Sequence, residues 1–349
     1  MSKKLNVLII GTGLFATSTY LPALEGLSDK FQIVACCNRS LEKAQLFAEK
    51  ASIPANAVYT DIDEALQHPG VDVAAILVPV QYNLEITRKA INAGKHVVLE
   101  KPIAHNLRDA AEVVRLSKST DKVVLVAENF GYREYLHKVS NIIKNGTIGN
   151  GVAFNYVANR NYDPSNPYMA TKWRQSPEHV GGYLSDGGVH NWAEIIELLG
   201  RPDEVSAFTS QTYEIHGAED TIALSAKMVS GAVGTFVLSM ATAKPAGLNF
   251  HIYGTKGTIY ISQSQNIDTE GSISSEEISV TIFEDTGNVT NFDKSSGIGV
   301  TEEWCDFYDA VTHGKSLRIT PEDAYYHLAT IAAGIESSKT RKVVPVQTV

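Results

Sequence analysis

The sequence has 349 residues, of which 44% are hydrophobic, and a formal net charge of −9 at pH 7. This length is sufficient for two hydrophobic cores, and the acidic balance without a long Lys/Arg run excludes a protein that works mainly on nucleic acid. Three cysteines, Cys36, Cys37 and Cys305, are too few for a disulfide framework and are not spaced as zinc ligands. No stretch approaches the ~18 apolar residues of a membrane span. We therefore expect a soluble, cytoplasmic protein with no metal site and no membrane partner.

The first third of the chain alternates short apolar runs with helical periods. Predicted strands cover residues 5–10, 31–37, 71–78, 96–99 and 122–127, and predicted helices cover 40–50, 82–93 and 106–119. Strands that are apolar throughout and separated by helices form a parallel sheet covered on both faces. The pattern predicts a doubly wound α/β domain over residues 1–128.

The remainder, residues 129–349, is predicted to form a second domain of a different kind. A helix over 134–144 precedes predicted strands at 152–158, 205–212, 221–229, 232–241, 248–253 and 258–261. Because several of these strands are joined by short turns, they indicate a largely antiparallel sheet. The Ser-rich segment 262–277 is interpreted as a loop or edge insertion, and helices over 302–313 and 321–337 are expected to close the fold.

A glycine-rich turn directly follows the first predicted strand. The letters GTGLFA, residues 11–16, fit the dinucleotide fingerprint with Ala in place of the third glycine. Gly11 permits the tight turn and Gly13 lets the backbone approach a pyrophosphate, with Leu14 and Phe15 also at the cofactor. The alternative is a plain strand-to-helix turn without a ligand.

The end of the second predicted strand indicates which dinucleotide is bound. An NAD site places an acidic residue there for the ribose hydroxyls, whereas this chain has Asn38, Arg39 and Ser40. Arg39 can bind a 2'-phosphate in a bidentate fashion, and its two neighbours can donate hydrogen bonds. NADP(H) is therefore favoured over NAD(H). The alternative is that Arg39 is a solvated residue at a helix start.

Two further motifs carry candidate chemistry. Glu100, Lys101 and Pro102 end the fifth strand, where ligands of doubly wound sheets bind, so Lys101 is a catalytic candidate rather than an ordinary surface lysine. Asp186 is suited to cap a helix over 191–199, and His190 would then lie in its first turn on the same side. The positive end of that helix would keep His190 neutral, as a general base must be. The alternative is a capping Asp and a structural His.

Taken in order, the motifs resemble those of the family of glucose-fructose oxidoreductase, inositol dehydrogenase and the rhizopine-catabolism oxidoreductases (Gfo/Idh/MocA). The resemblance covers nearly the whole chain. It is carried by GTGLFA, Glu-Lys-Pro at 100–102, Trp173-Arg174, Gly181-Gly182 with Asp186-x-Gly188-x-His190, and Gly254-x-x-Gly257.

The resemblance implies a Rossmann domain followed by an α+β domain with an open, mostly antiparallel sheet, whose free face makes a homodimer contact in many members. It also implies hydride transfer between nicotinamide and a carbonyl or hydroxyl carbon, typically of a sugar, polyol or diol. Together with the residues that follow the second strand, this predicts an NADP-dependent dehydrogenase or reductase, for which an aldehyde is a further candidate substrate. In such enzymes the residues matching Lys101 and His190 manage the substrate proton, and Trp173 and Arg174 lie near the cofactor.

One departure from the family pattern concerns the segment after the fourth strand. The family commonly has Pro-Asn-x-x-His there, whereas this chain has Pro79-Val80-Gln81-Tyr82-Asn83. We expect Pro79 and Asn83 to lie near the cofactor, with an amide replacing the imidazole. Because an amide carries no proton at neutral pH, the acid–base role falls on Lys101 and His190.

The resulting hypothesis assigns roles to three catalytic residues. Lys101 polarises the substrate oxygen, His190 or Lys101 donates the proton, and Asp186 orients the pair. The alternative function is a non-catalytic NADP(H)-binding sensor that acts through a protein partner. Such a sensor has little need of an intact Lys, Asp and His set, so the sequence favours the enzyme.

Overall fold

The structure is a computed structural model that describes residues 3–161, 175–243, 247–267, 273–294 and 298–349. The chain divides into two compact units, each described here by itself. The first comprises residues up to Asn129 together with Val300–Tyr325 and Val349, and the second comprises Phe130–Gly299 and Tyr326–Thr348. The predicted boundary after residue 128 stays a prediction, and the units differ from it in placing residues 300–325 in the first unit. Trp173 and Arg174 lie outside the described residues.

Most helices within the described residues match predicted positions, but the short helices Leu21–Gly26 and Ile62–Leu66 were not predicted, and one helix begins earlier than expected, as described below. In chain order they are α1 Leu21–Gly26, α2 Leu41–Lys50, α3 Ile62–Leu66, α4 Asn83–Asn92, α5 Leu107–Lys118, α6 Glu134–Lys144, α7 Tyr183–Leu199, α8 Val300–His313 and α9 Pro321–Thr340. A π-helical turn, Ala16–Tyr20, leads into α1. None of these helices is both long enough and apolar enough to cross a bilayer.

The first unit contains a parallel sheet in the order β3-β2-β1-β4-β5-β6. Its strands are β1 Leu5–Ile10, β2 Phe31–Cys37, β3 Val58–Tyr59, β4 Val73–Ile76, β5 His96–Glu100 and β6 Val124–Ala127. The central strands β1 and β4 are buried along nearly their whole length, as expected for a sheet covered on both faces. This order is that of the Rossmann fold, which confirms the predicted fold class.

A helix from the distant end of the chain completes the core of the first unit. Trp304 of α8 is fully buried and meets the rings of Tyr20 and Phe31 edge-on, at centroid distances of 5.5 and 5.0 Å. Edge-to-face pairs at these distances are favourable beyond the area they bury. The helix over 302–313, expected from the sequence in the second domain, therefore belongs to the first unit.

The second unit contains a sheet in the order β14-β13-β12-β11-β7-β10-β9-β8-β15. Its strands are β7 Gly151–Asn161, β8 Pro202–Ser210, β9 Thr221–Met228, β10 Val233–Thr242, β11 Gly247–Gly254, β12 Gly257–Ile267, β13 Ile273–Glu284, β14 Val289–Lys294 and β15 Val344–Pro345. Apart from the parallel pair of β7 and β10, the described neighbours are antiparallel. The open, mostly antiparallel sheet is confirmed.

The interpretation of residues 262–277 as a loop was wrong. Most of this segment lies in β12 and β13, where Ser262 pairs with Ser279. Burial alternates along β12, with Ile259, Ile261 and Gln263 buried and the residues between them exposed. A strand with one solvated face tolerates serine on that face, as at Ser262 and Ser264, so polar composition did not exclude strand structure here.

Candidate active site

The glycine turn after β1 has the geometry that a dinucleotide requires. Gly11 has φ +98°, its N–H donates to the Cys37 carbonyl oxygen at 2.8 Å, and a Cβ at this position would collide with the Leu77 carbonyl. A Cβ built on Gly13 meets no described protein atom within 4 Å. Gly11 is therefore required by the turn, whereas the fold does not require glycine at 13. Room for a close approach to Gly13 fits a pyrophosphate.

The end of β2 is tied to that turn. Asn38 Nδ2 donates to Thr12 Oγ1 at 2.6 Å, and Asn38 Oδ1 accepts from the Ser40 N–H at 3.2 Å. Ser40 caps α2 by accepting from the Lys43 N–H. Arg39 is exposed, and its guanidinium lies 5.7 Å from the Tyr82 ring centroid. Asn38 and Ser40 thus shape the loop, and Arg39 presents its charge at the edge where the strands end.

Asn83 holds the backbone on both sides of Lys101. It is buried at the start of α4, and its Nδ2 donates to the carbonyl oxygens of Glu100, at 3.1 Å, and Pro102, at 2.9 Å. The Lys101–Pro102 peptide is cis. The amide at position 83 therefore fixes the path of the Glu-Lys-Pro segment and leaves the half-buried Lys101 at the carboxyl end of β5.

Buried acidic groups lie behind this segment. Tyr20 donates to Glu100 Oε1 at 2.6 Å, and burial followed by the charges of Glu100 and Glu303 raises the pKa of Tyr20. Glu303 of α8 is 1% exposed, and neither of its oxygens has a hydrogen-bond partner among the described residues. Burial, then Glu100 and Glu128, raise the pKa of Glu303 well above its usual range. Its neutral form is therefore favoured in the folded protein.

The helix that carries Asp186 and His190 begins earlier than predicted. α7 starts at Tyr183, with Gly182 at the cap position in a positive-φ conformation, φ +48°. Asp186 lies in the first turn rather than at the cap, and His190 lies a turn further on. The expected effect of the helix terminus on His190 was therefore wrong, because it falls off within the first turn. The two residues still share one helix face at a spacing of four.

Close packing explains the early start of α7. A Cβ on Gly187 would collide with the side chain of Met240, and one on Gly188 would lie 2.8 Å from Ile331 Cδ1. Glycine is unfavourable inside helices by about 1 kcal/mol relative to alanine, so these two glycines oppose a helix start before residue 190. The packing of α7 against β10 and α9 outweighs that preference.

In each unit, several buried polar residues were not found from the sequence. Tyr20 and Glu303 owe their positions to a contact between segments far apart in the chain, and no local pattern signals it. Arg133 and Glu194 form a buried ion pair in the second unit, with Nη1 to Oε1 at 3.3 Å. A usable signal existed for Glu194, since it is a charge in an apolar helix four residues after His190.

The cysteines of the first unit and the metal-ligating residue types give no sign of redox or metal chemistry in the described structure. Burial raises the pKa of Cys36 to about 12 and that of Cys37 to about 11, so both are protonated thiols at neutral pH. Among the described residues, no cluster of His, Cys, Asp and Glu has the arrangement of a metal site.

Phe15 and Leu14 flank the glycine turn, where the Phe15 ring lies 5.4 Å from that of Tyr20.

Comparisons with known proteins cover both units. Residues 5–128 match the Gfo/Idh/MocA oxidoreductase family's NAD-binding Rossmann fold, and residues 141–347 match its C-terminal alpha/beta domain. An uncharacterized Saccharomyces cerevisiae protein, YMR315W, is 41% identical over 342 residues, 96% of each chain. Mouse trans-1,2-dihydrobenzene-1,2-diol dehydrogenase is 29% identical over 72% of this chain and 73% of its own. A Thermotoga maritima oxidoreductase structure, TM0312, is 31% identical over 99% of both chains, with a TM-score of 0.86.

Proposed function

The chain belongs to the Gfo/Idh/MocA family of oxidoreductases, and we propose that it is an NADP(H)-dependent member that acts on a carbonyl or hydroxyl carbon. The substrate is a small sugar, polyol, diol or aldehyde. The observation that supports this proposal most is the way in which the backbone around Lys101 is fixed. Asn83 binds the backbone carbonyls on both sides of it, so an ammonium group is held at the edge of the sheet where the glycine turn lies.

The residues at that edge fit a dinucleotide. When bound, the nicotinamide supplies or accepts the hydride. Gly11 and Gly13 would hold the pyrophosphate through backbone N–H groups, and Pro79 and the Glu100–Lys101 segment would border the nicotinamide end. Trp173 and Arg174 are proposed as further cofactor contacts on the family resemblance alone.

Three side chains divide the proton chemistry of the proposed reaction. Lys101 polarises the substrate oxygen, and either His190 or Lys101 gives it a proton during reduction and removes it during oxidation. Asp186, one turn before His190 on α7, orients these groups. Lys101 belongs to the first unit and His190 to the second. Whether both act in the same reaction is tested by the kinetics of variants at each position.

The proposed preference for NADP(H) depends on Arg39. Residues 38–40, directly after β2, include no carboxylate to repel a 2'-phosphate, whereas the exposed guanidinium of Arg39 is available to bind one. Replacement Arg39→Ala removes a charge-assisted hydrogen bond of about 1.5–3 kcal/mol, so NADPH affinity should fall about 10- to 150-fold. NADH affinity should change little. Equal effects on both dinucleotides in a fluorescence titration would contradict the preference.

Turnover is tested by NADPH oxidation against aldehydes, ketoses, aldoses and quinones. Any of these that is reduced gives the assay for Lys101→Met, which should lower kcat by orders of magnitude and leave NADPH binding nearly intact. Lys95→Met, the same change in the same unit, serves as the control, because Lys95 bonds only the Val71 carbonyl in the described structure. NADPH binding without turnover in the whole screen would support the sensor instead.

The proposed oligomer is a homodimer formed through the sheet of the second unit. On its solvent face, Tyr260 lies 4.4 Å from His251 and 5.4 Å from Phe283 between ring centroids, and Tyr253 joins the same cluster. Tyr260 and Phe283 are each 40% exposed. Tyrosine and phenylalanine on an exposed face are typical of interface cores. Cys36, Cys37 and Cys305 are free cysteines, which fits a reducing compartment, and we place the protein in the cytoplasm.

A further inference from the structure

The imidazole of His190 is stacked on a phenylalanine. The ring centroids of His190 and Phe130 lie 4.3 Å apart with an angle of 19° between the ring planes. His190 and Phe130 are both half-buried. Near-parallel stacking at this distance is a favourable aromatic arrangement, and it restricts the plane of the imidazole to that of the phenyl ring.

The phenyl ring is itself held on its other face. The guanidinium carbon of Arg133 lies 3.4 Å from the Phe130 ring centroid. A phenyl ring has two faces, and a planar group at that distance fills one of them, so His190 and Arg133 must cover opposite faces. The result is a stack of guanidinium, phenyl and imidazole, in which Phe130 cannot tilt without losing a contact on one side.

Glu194 anchors this stack to the helix that carries His190. Its Oε1 accepts from Arg133 Nη1 at 3.3 Å and from Tyr135 Oη at 2.6 Å, and its Oε2 accepts from Tyr156 Oη at 2.6 Å. Arg133 is 3% exposed and Glu194 is fully buried. Glu194 follows His190 by one helical turn, so α7 carries both the first and the last residue of the contact series His190–Phe130–Arg133–Glu194.

Stability alone is a weak explanation for this ion pair. Two buried charges lose much of their mutual attraction to desolvation, and apolar side chains of similar size often stabilise a core equally well. The ion pair does, however, fix the orientation of the His190 imidazole, on which the proposed chemistry depends. Displacing a reacting group by 1 Å can reduce turnover about 100-fold.

We propose that Phe130, clamped by the Arg133–Glu194 pair, is a positioning residue that holds the His190 imidazole in its reactive orientation. This inference rests on the proposed function, because it gives His190 a role in proton transfer. Phe130 and Arg133 touch neither substrate nor cofactor in this assignment and act only through the imidazole.

The first test is spectroscopic and needs no substrate. In protein labelled with ¹³C-histidine, the ring current of Phe130 should shift the His190 ring-proton signals to lower frequency, with the His190→Ala variant providing the assignment. Phe130→Leu should abolish the shift, and Phe130→Tyr should preserve it. Phe154→Leu is the matched control, since Phe154 is a buried phenylalanine of the same unit whose described ring contact is with Phe250, and it should leave the signal unchanged. An unchanged His190 signal in Phe130→Leu would overturn the proposal.

The second test is kinetic and uses the carbonyl compound that is reduced fastest in the NADPH-oxidation screen. Phe130→Leu should lower kcat about 10- to 100-fold, while KM and the Kd of NADPH stay within about two-fold. Phe130→Tyr should retain most of the turnover. The double variant Arg133→Met/Glu194→Gln should give the same loss of kcat, and removing both charges avoids leaving one of them buried alone. Wild-type kcat in Phe130→Leu would overturn the positioning role even if the spectrum changed.

Failure of this inference can be distinguished from failure of the proposed function. His190→Ala with wild-type turnover would remove His190 from the reaction and with it the premise. A large loss in His190→Ala, together with no loss in Phe130→Leu, would refute only the positioning role. If both roles hold, adding Phe130→Leu to His190→Ala should cause little further loss, because the two changes remove the same contribution.

Discussion

Replacing Gly13 by alanine separates a glycine required by a ligand from one required by the fold. A Cβ at position 13 meets no described protein atom within 4 Å, and Gly13 is not among the positive-φ glycines. The change should therefore leave the unliganded protein as stable as the wild type, or more stable by about 0.4–1 kcal/mol through a stiffer unfolded chain. The unfavourable effect should appear only as a lower affinity for the dinucleotide.

The size of the loss of affinity follows from the contact that is removed. A methyl group at position 13 would occupy the space through which a pyrophosphate reaches the backbone, so at least one hydrogen bond between an N–H and a charged oxygen would break. Such a bond contributes about 1.5–3 kcal/mol, which predicts a loss of NADPH affinity of about 10- to 150-fold. Fluorescence titration measures the affinity, and thermal unfolding of the same unliganded samples measures stability.

Two other glycines of the first unit provide the comparisons. Gly26→Ala introduces the same methyl group where no described atom lies within 4 Å, and it should not change NADPH affinity. Gly11→Ala should reduce both stability and affinity, because φ +98° and the Leu77 carbonyl oppose a side chain there. Wild-type affinity in Gly13→Ala would refute the assignment of this turn to the pyrophosphate. So would a loss of stability as large as that of Gly11→Ala.

Three further predictions concern separate parts of the molecule. Since burial and acidic neighbours raise the pKa of Glu303, the wild type should lose stability as pH rises above the usual carboxyl range, by at most about 1.4 kcal/mol per pH unit. Glu303→Gln lacks this titration, so its melting temperature relative to wild type should increase from about pH 5 to about pH 8, and a constant difference would contradict the raised pKa. Tyr260→Glu should give a monomer by light scattering, whereas Leu46→Glu on exposed α2 should remain dimeric; a dimeric Tyr260→Glu would exclude this face. Asn83→Ala should lower kcat through the released Lys101 segment, and unchanged turnover would show that these two hydrogen bonds are dispensable.

The sequence was sufficient for five of the six strands of the parallel sheet and for most of the antiparallel one, while the two-residue strand β3 was missed. Apolar strands between helices in the first 127 residues and short turns between alternating strands later are local patterns, and the structure follows them. The glycine turn was found for the same reason, because its requirements are met within six residues.

Long-range packing decided the parts that were missed. Gly187 and Gly188 argue against a helix by propensity, but they lie where α7 needs side chains no larger than hydrogen against Met240 and Ile331. The partnership of Tyr20, Glu100 and Glu303 joins the two ends of the chain, and no periodicity or spacing reports such a contact. The stack on His190 likewise needed coordinates, although Phe130 and Arg133 are three residues apart.

The return of α8 to the first unit has a consequence for synthesis of the protein. Translation produces strands β7 to β14 of the second unit before it reaches Trp304, so the nucleotide-binding half leaves the ribosome with its aromatic cluster unfinished. A fragment that stops at Asn129 would expose Tyr20 and Phe31, the surfaces that Trp304 covers in the whole chain. Maturation of the amino-terminal half therefore waits for the carboxy-terminal region to emerge.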